Sequence, residues 1–579
     1  MRFRRLAGYF AELERTASRL KITEILAELF SKTDASEIDK ICYLSQGRLA
    51  ALYETIEFNL AEKMMVRVLA QAYQKSEEKI RKTYRQLGDL GDTAAFFDKK
   101  EKSKPLSVKQ VYERLWEIAN EAGEGSVKRK INKMVQLLDD LDVQGAKYAV
   151  RIPLGKLRLG FSDLTILDAL SWMISGNKSK RAKIEEAYNV RADVGQIAQI
   201  IKKKGLKGLR DVDVSLGVPL VPALCQRLAN AEEMIKKMNK VAVEPKYDGT
   251  RLVIHVGREK LKIFTRNLEN VTLMFPDIVE ALSKEVKAKQ TILDGEAIGF
   301  DQKTGKFLAF QETMQRKRKY QIGVKSKEIP LRYFVFDVLY KNGRSLLKTP
   351  FAERRKILVQ ILPKTNKTII LSPQIVTESV TELRRYHDEQ IKAGLEGVVV
   401  KKWQAPYDPG RRGYTWVKFK SEKSKKGAGL ADTLDCVVMG FNQGKGKRAG
   451  FGIGAFLVGI RQGSNFLTVS KIGTGLTDEQ WREMYKKCRD ASVHSEGIPQ
   501  GEQIQKKPKQ YVVDKNLAPD VWCQPKIVVE IQADNITKSP IHTAKYALRF
   551  PRLIRFRDDK SASQTTTLSE TEKLYKLQK

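Results

Sequence analysis

The chain has few of the residues that cross-link proteins or hold structural metals. Its 579 residues include five cysteines and four histidines, and the cysteines form no C-x-x-C pair. Disulfide frameworks and structural zinc sites depend on paired cysteines or on close clusters of cysteine and histidine. The sequence therefore argues against both.

Long apolar stretches are also missing. No run approaches the roughly 18 apolar residues that a membrane-spanning helix needs. The opening Met1–Arg5 leads into mixed sequence without the apolar segment of a secretion signal. We expect a soluble, monomeric protein without a membrane partner, cytoplasmic and associated with the nucleoid.

Acidic residues are scarce relative to basic ones. Lysine and arginine total 106 against 69 aspartates and glutamates, a formal charge of +37. This excess favours a polyanionic partner such as nucleic acid. Hydrophobic residues make up 42% of the chain, enough for packed cores, and 579 residues exceed what one core accommodates. Two to four domains are expected.

The chain divides into segments of different character. Apolar residues recur every three or four positions through residues 1–210, which predicts an all-α domain of several short helices. Short β-rich runs then alternate with helical patterns over 211–424, which predicts an α+β domain. The polar, charged run 421–429 is typical of a linker. Short strands over 425–579 predict a small closed β-barrel with a tail.

The most informative segment is Glu244–Arg251, in which Lys246 ends an apolar run and precedes an Asp-Gly turn. A lysine amine can attack phosphorus, but a solvated amine with a pKa near 10.4 is almost fully protonated at pH 7. Burial or nearby cations must activate it, and Arg251 and Arg266 are candidates. A hairpin turn with a solvated lysine has the same local sequence.

Motifs that follow in order give the K-x-D-G segment its weight. They are Leu293–Glu296, Tyr333–Asp337, Glu396–Lys401 and Trp416–Lys420. Singly, each is typical of an ordinary strand with a charged end. In this order after Lys246, they resemble the motifs of the covalent lysyl-AMP nucleotidyltransferase superfamily.

Further segments resemble one branch of that superfamily. Residues 545–560 resemble the last motif of ATP-dependent DNA ligases, and Gly444–Gly450 resembles a loop of their barrel domain. Ser18–Leu26 and Gly155–Gly160 resemble the helical DNA-binding domain of the archaeal and eukaryotic replicative type. The resemblance covers essentially the whole chain.

This resemblance implies a multidomain fold: an all-α DNA-binding domain, an α+β adenylation domain and an OB-fold domain. It implies an ATP-dependent DNA ligase that seals 3′-OH/5′-phosphate nicks in duplex DNA through lysyl-AMP and DNA-adenylate intermediates. Such enzymes act in replication, repair and recombination. The implied cofactors are ATP and Mg²⁺, with Mn²⁺ as a substitute.

The resemblance also assigns roles to residues of the adenylation domain. Lys246 attacks the α-phosphate of ATP, while Glu244 and Phe336 hold the adenine, the latter by ring stacking. Glu296 contacts the ribose or the metal, and Glu396 binds the metal. The cations that surround the phosphates are Arg251, Arg266, Arg412, Lys418 and Lys420.

Two more groups of residues are implied outside that domain. In the last motif Arg557, Asp559 and Lys560 orient the pyrophosphate leaving group during self-adenylation. Near the N-terminus Lys156 and Arg158 grip DNA phosphates without reading bases, as suits an enzyme whose nicks occur in any sequence.

Two alternatives stay open. An RNA ligase or a capping-type nucleotidyltransferase also uses K-x-D-G, although these enzymes do not usually carry so large a helical domain. A non-catalytic nucleic-acid-binding scaffold would explain the charge but not the ordered motifs. Sliding-clamp binding is undecided, because Phe96–Phe97 lacks the glutamine and the spacing of a clamp motif.

Overall fold

The structure is a computed structural model. It describes residues 1–98, 104–228, 230–257, 261–308, 310–316, 322–410, 413–420, 433–444, 446–492 and 507–577. The chain forms two compact units, Met1–Lys420 and Ser421–Lys579. The expected linker at 421–429 lies outside the described residues.

The first part of the larger unit is helical, as the three-and-four spacing of apolar residues predicts. Its helices are α1 (Phe3–Glu14), α2 (Arg19–Ser31), α3 (Ile38–Leu44), α4 (Glu62–Ala72), α5 (Glu77–Leu87), α6 (Leu90–Phe97), α7 (Val108–Asn120), α8 (Ser126–Asp140), α9 (Val143–Arg151), α10 (Asp163–Ser175), α11 (Arg181–Val190) and α12 (Val194–Lys204). Their apolar faces share one core that includes Phe10, Leu138 and Ile197.

Polar caps fix where several of these helices begin. The Asp193 carboxylate accepts a hydrogen bond from the Gln196 backbone N–H at the start of α12, which satisfies an orphan donor of the first turn. The same carboxylate accepts from the hydroxyls of Tyr43 and Tyr53 at 2.6 and 2.7 Å. One buried aspartate thus joins α12 to α3 and to the segment after it.

The second part of the larger unit is built on two sheets. Its strands are β1 (Gln226–Arg227), β2 (Val241–Pro245), β3 (Thr250–Val256), β4 (Leu261–Thr265), β5 (Thr291–Gly299), β6 (Leu331–Lys341), β7 (Arg344–Ser345), β8 (Ile369–Leu371), β9 (Ile375–Thr377), β10 (Gly397–Lys402) and β11 (Trp416–Lys420). Its helices are α13 (Ala231–Met238), α14 (Pro276–Glu285), α15 (Phe310–Thr313), α16 (Ile322–Glu328), α17 (Phe351–Ile361) and α18 (Val380–Lys392).

Side-chain alternation divides each sheet into a helix-facing side and a second side. The first sheet has the strand order β1-β11-β10-β2-β9, and the second has β4-β3-β5-β6-β7 with β8 beside β6. In the first sheet Val243 and Val400 pack in a core with α13 and α18. In the second, Tyr333 and Val335 pack with α14 and α17. Because successive side chains along a strand point to opposite faces, the residues next to these four point away from the helices.

The C-terminal unit is rich in strands. It contains β12 (Leu434–Gln443), β13 (Ile453–Gln462), β14 (Asn465–Ile472), β15 (Tyr511–Val512), β16 (Val521–Trp522), β17 (Val528–Gln532), β18 (Asn535–Lys538), β19 (Tyr546–Arg549) and β20 (Arg552–Phe556), with helices α19 (Asp478–Asp490) and α20 (Leu568–Leu577). The main strand order is β15-β14-β13-β12-β17-β20. Trp481 of α19 packs into the core of this sheet. In the described part of the chain, no helix is long and apolar enough to cross a membrane.

Candidate active site

Lys246 lies where the chain passes from one sheet to the other. β2 ends at Pro245 and β3 begins at Thr250, so Lys246 opens a four-residue connection between the sheets. Its backbone N–H donates to the Gly397 carbonyl at 2.9 Å, which ties the connection to β10. A Cβ at Gly249 would lie 2.3 Å from the Ala297 carbonyl oxygen. The glycine of K-x-D-G is therefore required by close approach to β5.

The Lys246 ammonium pairs with the Glu396 carboxylate. Lys420 Nζ lies 3.0 Å from the same Glu396 oxygen, so two lysines share one carboxylate. Burial acts to raise the pKa of Glu396, but the positive charges of Lys246 and Lys420 outweigh it and hold that pKa below its ordinary value. The register between β10 and β11 brings Lys420 close to Glu396, because Lys420 lies opposite Gly397, the residue after Glu396.

Glu296 is a second carboxylate near Lys246. It lies on β5 opposite Arg251 of β3. Desolvation of the carboxyl group raises the pKa of Glu296 to about 8, although the charges of Arg251 and Lys246 act in the opposite direction. A bound cation would lower the pKa of such a carboxyl and favour its ionised form.

Arg251 is held by its own sheet. Its guanidinium donates to both oxygens of the buried Asp294 at 3.0 and 2.7 Å, and to the Ala223 carbonyl at 2.6 Å. Tyr407 donates to Asp294 at 2.7 Å and completes the cluster. The bidentate geometry fixes the guanidinium in one position. Its place in the site is therefore set before any phosphate arrives.

Glu244 and Phe336 come together through a buried lysine. Lys401 Nζ donates to Glu244 Oε2 and to the Phe336 carbonyl, both at 2.8 Å. The same ammonium lies 4.7 Å from the centre of the Phe336 ring, which meets the Trp416 ring edge-on at 5.8 Å. The result is an aromatic wall with a buried charge pair behind it.

The remaining predicted phosphate ligands are placed differently. Lys418 is half-buried on β11, opposite Val399, which in turn lies opposite Glu244. Arg266 follows β4 and is exposed. Arg412 lies outside the described residues.

The last-motif residues form an ion-pair cluster within the C-terminal unit. Arg557 donates to Asp559 at 2.8 and 2.7 Å and to Asp435 at 2.9 Å, and Lys560 donates to Asp435 at 2.5 Å. The hydrogen bonds from Arg557 lower the pKa of Asp559 to about 2. Asp435 of β12 organises both cations.

The two predicted DNA contacts of the helical part are also ion-paired. Lys156 pairs with Glu62, and both side chains are about 40% exposed. Arg158 lies 3.1 Å from the buried Asp89 and donates to the Gly88 carbonyl at 2.8 Å, at the end of α5. Lys156 is therefore held at the surface, whereas Arg158 is part of the helix packing.

Sequence reasoning assigned no role to Asp294, Lys401, Tyr407 or Asp435. Two of them stand inside quoted motifs, and strand alternation could have found them. Asp294 lies two residues from Glu296, and Lys401 lies two residues from Val399, which is the residue opposite Glu244. Tyr407 and Asp435 carry no such signal. Among the described residues, no group of three or more His, Cys, Asp or Glu is arranged to hold a metal ion.

Comparison with known proteins identifies the family. The model for the DNA ligase N terminus matches residues 2–171, that for the ATP dependent DNA ligase domain matches 222–420, and that for the ATP dependent DNA ligase C terminal region matches 449–560. These matches define a multidomain ligase with a helical N-terminal domain, a central adenylation domain and a C-terminal domain with strands.

Relatives along the full chain make the assignment specific. A probable DNA ligase of Dictyoglomus turgidum is 42% identical over 100% of this chain and 98% of its own. A DNA ligase of Acidianus ambivalens is 38% identical over 100% and 98%, and DNA ligase 1 of Methanosarcina mazei is 36% identical over 99% of each. The chain belongs to the ATP-dependent DNA ligase family.

A solved structure titled Pmar-Lig_PreS3 matches 95% of this chain and 99% of its own, with 17% identity and a TM-score of 0.51, which is a likeness of fold. The predicted enzyme, an ATP-dependent DNA ligase, is confirmed over the RNA ligase, capping-enzyme and scaffold alternatives. Membership implies the use of ATP and, in general, of a divalent cation.

Proposed function

We propose that this ligase activates nicked DNA through a covalent adenylate on Lys246. The amine nitrogen forms a bond to the α-phosphorus of ATP, the bond to the β-phosphate oxygen breaks, and pyrophosphate leaves. The AMP then passes to the 5′-phosphate of the nick. Finally the 3′-hydroxyl attacks that phosphate and AMP is released.

The observation that carries this proposal is the Lys246–Glu396–Lys420 cluster at the junction of the two sheets. Glu396 holds the Lys246 side chain in place and offers an oxygen that can accept the proton lost by the attacking amine. Lys420 adds a positive charge where negative charge gathers on the phosphates. Neighbouring cations thus orient the reaction before substrate binds.

The proposal assigns the other ligands of ATP to residues of the same domain. Phe336 supplies a ring face for the adenine, with Glu244 at its back. Arg251, Lys418, Lys420 and Arg266 would surround the phosphates, and Arg412 is given the same role from its sequence motif alone.

Glu296 and Glu396 fit a divalent cation, because both offer carboxylate oxygens near Lys246, and hard cations bind nucleotide phosphates through one or two carboxylates. We take the cation to be Mg²⁺, which supplies charge neutralisation of the triphosphate, with Mn²⁺ as a substitute.

The other two domains contribute to DNA binding and to self-adenylation. In this proposal the domains are 1–210, 211–424 and 425–579, and the last is an OB-fold, which the antiparallel pairing of β14, β13, β12, β17 and β20 in turn supports. Arg557, Asp559 and Lys560 orient pyrophosphate during self-adenylation. The helical domain holds nicked duplex through its phosphates, with Lys156 and Arg158 among the contacts.

The test is label transfer from α-labelled ATP with Mg²⁺, followed by denaturing electrophoresis. Lys246→Ala and Lys246→Arg should take up no label, because neither offers the required amine. The control Lys240→Ala changes a half-exposed lysine before β2 that pairs with Glu378, and it should be labelled like the wild type. Lys246→Ala labelled to the wild-type extent would show that the nucleophile is another residue.

A second assay separates the steps. Pre-adenylated nicked DNA bypasses the attack of Lys246, so Lys246→Ala should retain more activity on this substrate than on an ordinary nick. Equal loss on both substrates would contradict a role confined to the first step.

A further inference from the structure

Arg266 differs from Arg251 and Lys420 in having no side-chain partner of its own. Arg251 is fixed by Asp294, and Lys420 shares the carboxylate of Glu396. The Arg266 side chain is exposed and, among the described residues, forms no hydrogen bond or ion pair. Its position is therefore set by the backbone turn that carries it.

That turn leaves β4 at the end of the sheet where Arg251 lies. Thr265, the last residue of β4, is opposite Leu252, the residue after Arg251. The Leu268 backbone N–H donates to the Thr265 carbonyl at 2.9 Å and closes a turn that contains Arg266. A shift of Leu268 would therefore move Arg266 as well.

Leu268 anchors the turn in the helical part of the larger unit. Its side chain is half-buried and packs against the apolar core of the helices. Its φ is +66°, a left-handed conformation in which a residue with a Cβ is strained. Such a conformation persists where the surrounding structure outweighs the strain. The apolar contact with the helical core is an interaction that offsets it.

Other contacts hold β4 against the helical part. The Tyr53 ring meets Phe264 of β4 edge-on at 6.3 Å, and Lys262 Nζ lies 5.7 Å from the centre of the same ring. The Tyr53 hydroxyl is itself fixed by Asp193 at 2.7 Å. The strand thus rests on the helical part just before the turn, and Leu268 extends this contact through the turn.

We propose that the helical part is a scaffold for self-adenylation as well as a grip on DNA, and that Leu268 is the positioning residue through which it holds Arg266 at the triphosphate. The inference rests on the proposed role of Arg266 as a phosphate ligand. A cation held in place before ATP binds stabilises the charge that gathers on the phosphates without first losing its own freedom. Without the Leu268 contact the turn samples several positions, and transfer of AMP to Lys246 slows.

The experiment measures self-adenylation in the absence of DNA, so that a change in DNA binding does not enter. The full chain is first treated with pyrophosphate, which returns any bound AMP to ATP. It is then repurified and mixed with excess α-labelled ATP and Mg²⁺ over a range of ATP concentrations. The single-turnover rate constant does not depend on the fraction of folded protein, because inactive molecules lower only the amplitude.

Leu268→Asn removes the apolar contact without straining the turn, since asparagine adopts the left-handed conformation readily. It should lower the rate constant at saturating ATP about tenfold. Leu268→Met keeps an apolar side chain and should retain most of the wild-type rate constant. Leu273→Asn makes the same change at a leucine that is 84% exposed, and it should leave the rate constant unchanged.

A double substitution shows whether Leu268 acts through Arg266. Arg266→Ala should itself slow self-adenylation. Adding Leu268→Asn to it should cause little further loss, because the side chain that Leu268 positions is already gone. A purely structural role of Leu268 would instead lower the rate constant by the same factor in both backgrounds.

A wild-type rate constant in Leu268→Asn, or an undiminished effect of that substitution in the Arg266→Ala background, would overturn the inference and leave the Lys246 adenylate intact. Should Leu268→Asn fail to fold, Leu268→Gly, which also accepts the left-handed backbone, decides in its place. A wild-type rate constant in Arg266→Ala would remove Arg266 from the phosphate ligands and the inference with it. Wild-type protein that takes up no label at Lys246 would instead overturn the proposed function.

Discussion

A buried histidine should make the larger unit sensitive to acid. His255 of β3 is 1% exposed, and its Nδ1 accepts from the Gly217 backbone N–H at 3.1 Å. The ring meets Phe264 edge-on at 4.9 Å. Burial, followed by the nearby charge of Lys262, lowers the pKa of His255 to about 3. The imidazole is therefore neutral in the folded chain well below pH 6.

The sign and the size of the effect follow from linkage. An unfolded histidine takes up a proton near pH 6.5, whereas His255 in the fold does so near pH 3, so the unfolded state binds more protons between these values. The free energy of unfolding is unaffected above pH 7 and falls as the pH drops. The loss is about 2 kcal/mol at pH 5 and about 3 kcal/mol at pH 4.

His255→Asn tests this, because the amide oxygen can still accept from Gly217 but does not titrate. Urea unfolding of the full chain at pH 7.5 and pH 5 should show that the variant loses about 2 kcal/mol less than the wild type over this interval. An equal loss in wild type and His255→Asn would refute the reasoning.

Three further results are expected. Asp294→Asn should destabilise the larger unit by about 3 kcal/mol in urea unfolding, because Arg251 loses its buried partner; an unchanged midpoint would count against a tight pair. Arg557→Ala should slow self-adenylation at least tenfold yet spare the sealing of pre-adenylated nicks, whereas equal losses in both assays would remove it from pyrophosphate orientation. Lys156→Ala should reduce the log–log salt slope of nicked-duplex binding by about 0.9, the value of one phosphate contact, without affecting label transfer, and an identical slope would exclude Lys156 from the DNA contacts.

Sequence patterns predicted the helices and strands better than the tertiary contacts between them. The spacing of apolar residues indicates the helices of the first part, and the ordered motifs indicate which strand ends carry chemistry. Alternation along β2 and β10 places the side chains of Glu244 and Lys401 on the same face of their sheet. It does not say which distant element packs there. That Arg355 of a helix more than 100 residues away faces Glu244 depends on tertiary packing, which no local pattern records.

The ion pairs show the same limit. Lys156 and Arg158 look alike in sequence, being two basic residues between glycines. Their roles diverge because Glu62 is exposed, whereas Asp89 is buried and close to the end of α5. The distinction is set by the solvent exposure of a partner that is far away in the chain.

This distinction suggests how a chain with a charge of +37 can hold so many cations in defined places before a polyanion binds. Arg251 is paired with a fully buried carboxylate, so breaking that pair would strand a charge in the interior, and such a residue keeps its partner when substrate arrives. Lys246 is paired with a carboxylate that is about one quarter exposed. A pair near solvent contributes little to stability and can exchange its partner at small cost. We therefore expect phosphates to displace the carboxylate partners of Lys420 and Lys156, which leaves Glu396 to Lys246, while Arg251 and Arg158 stay paired and hold the surrounding structure in shape.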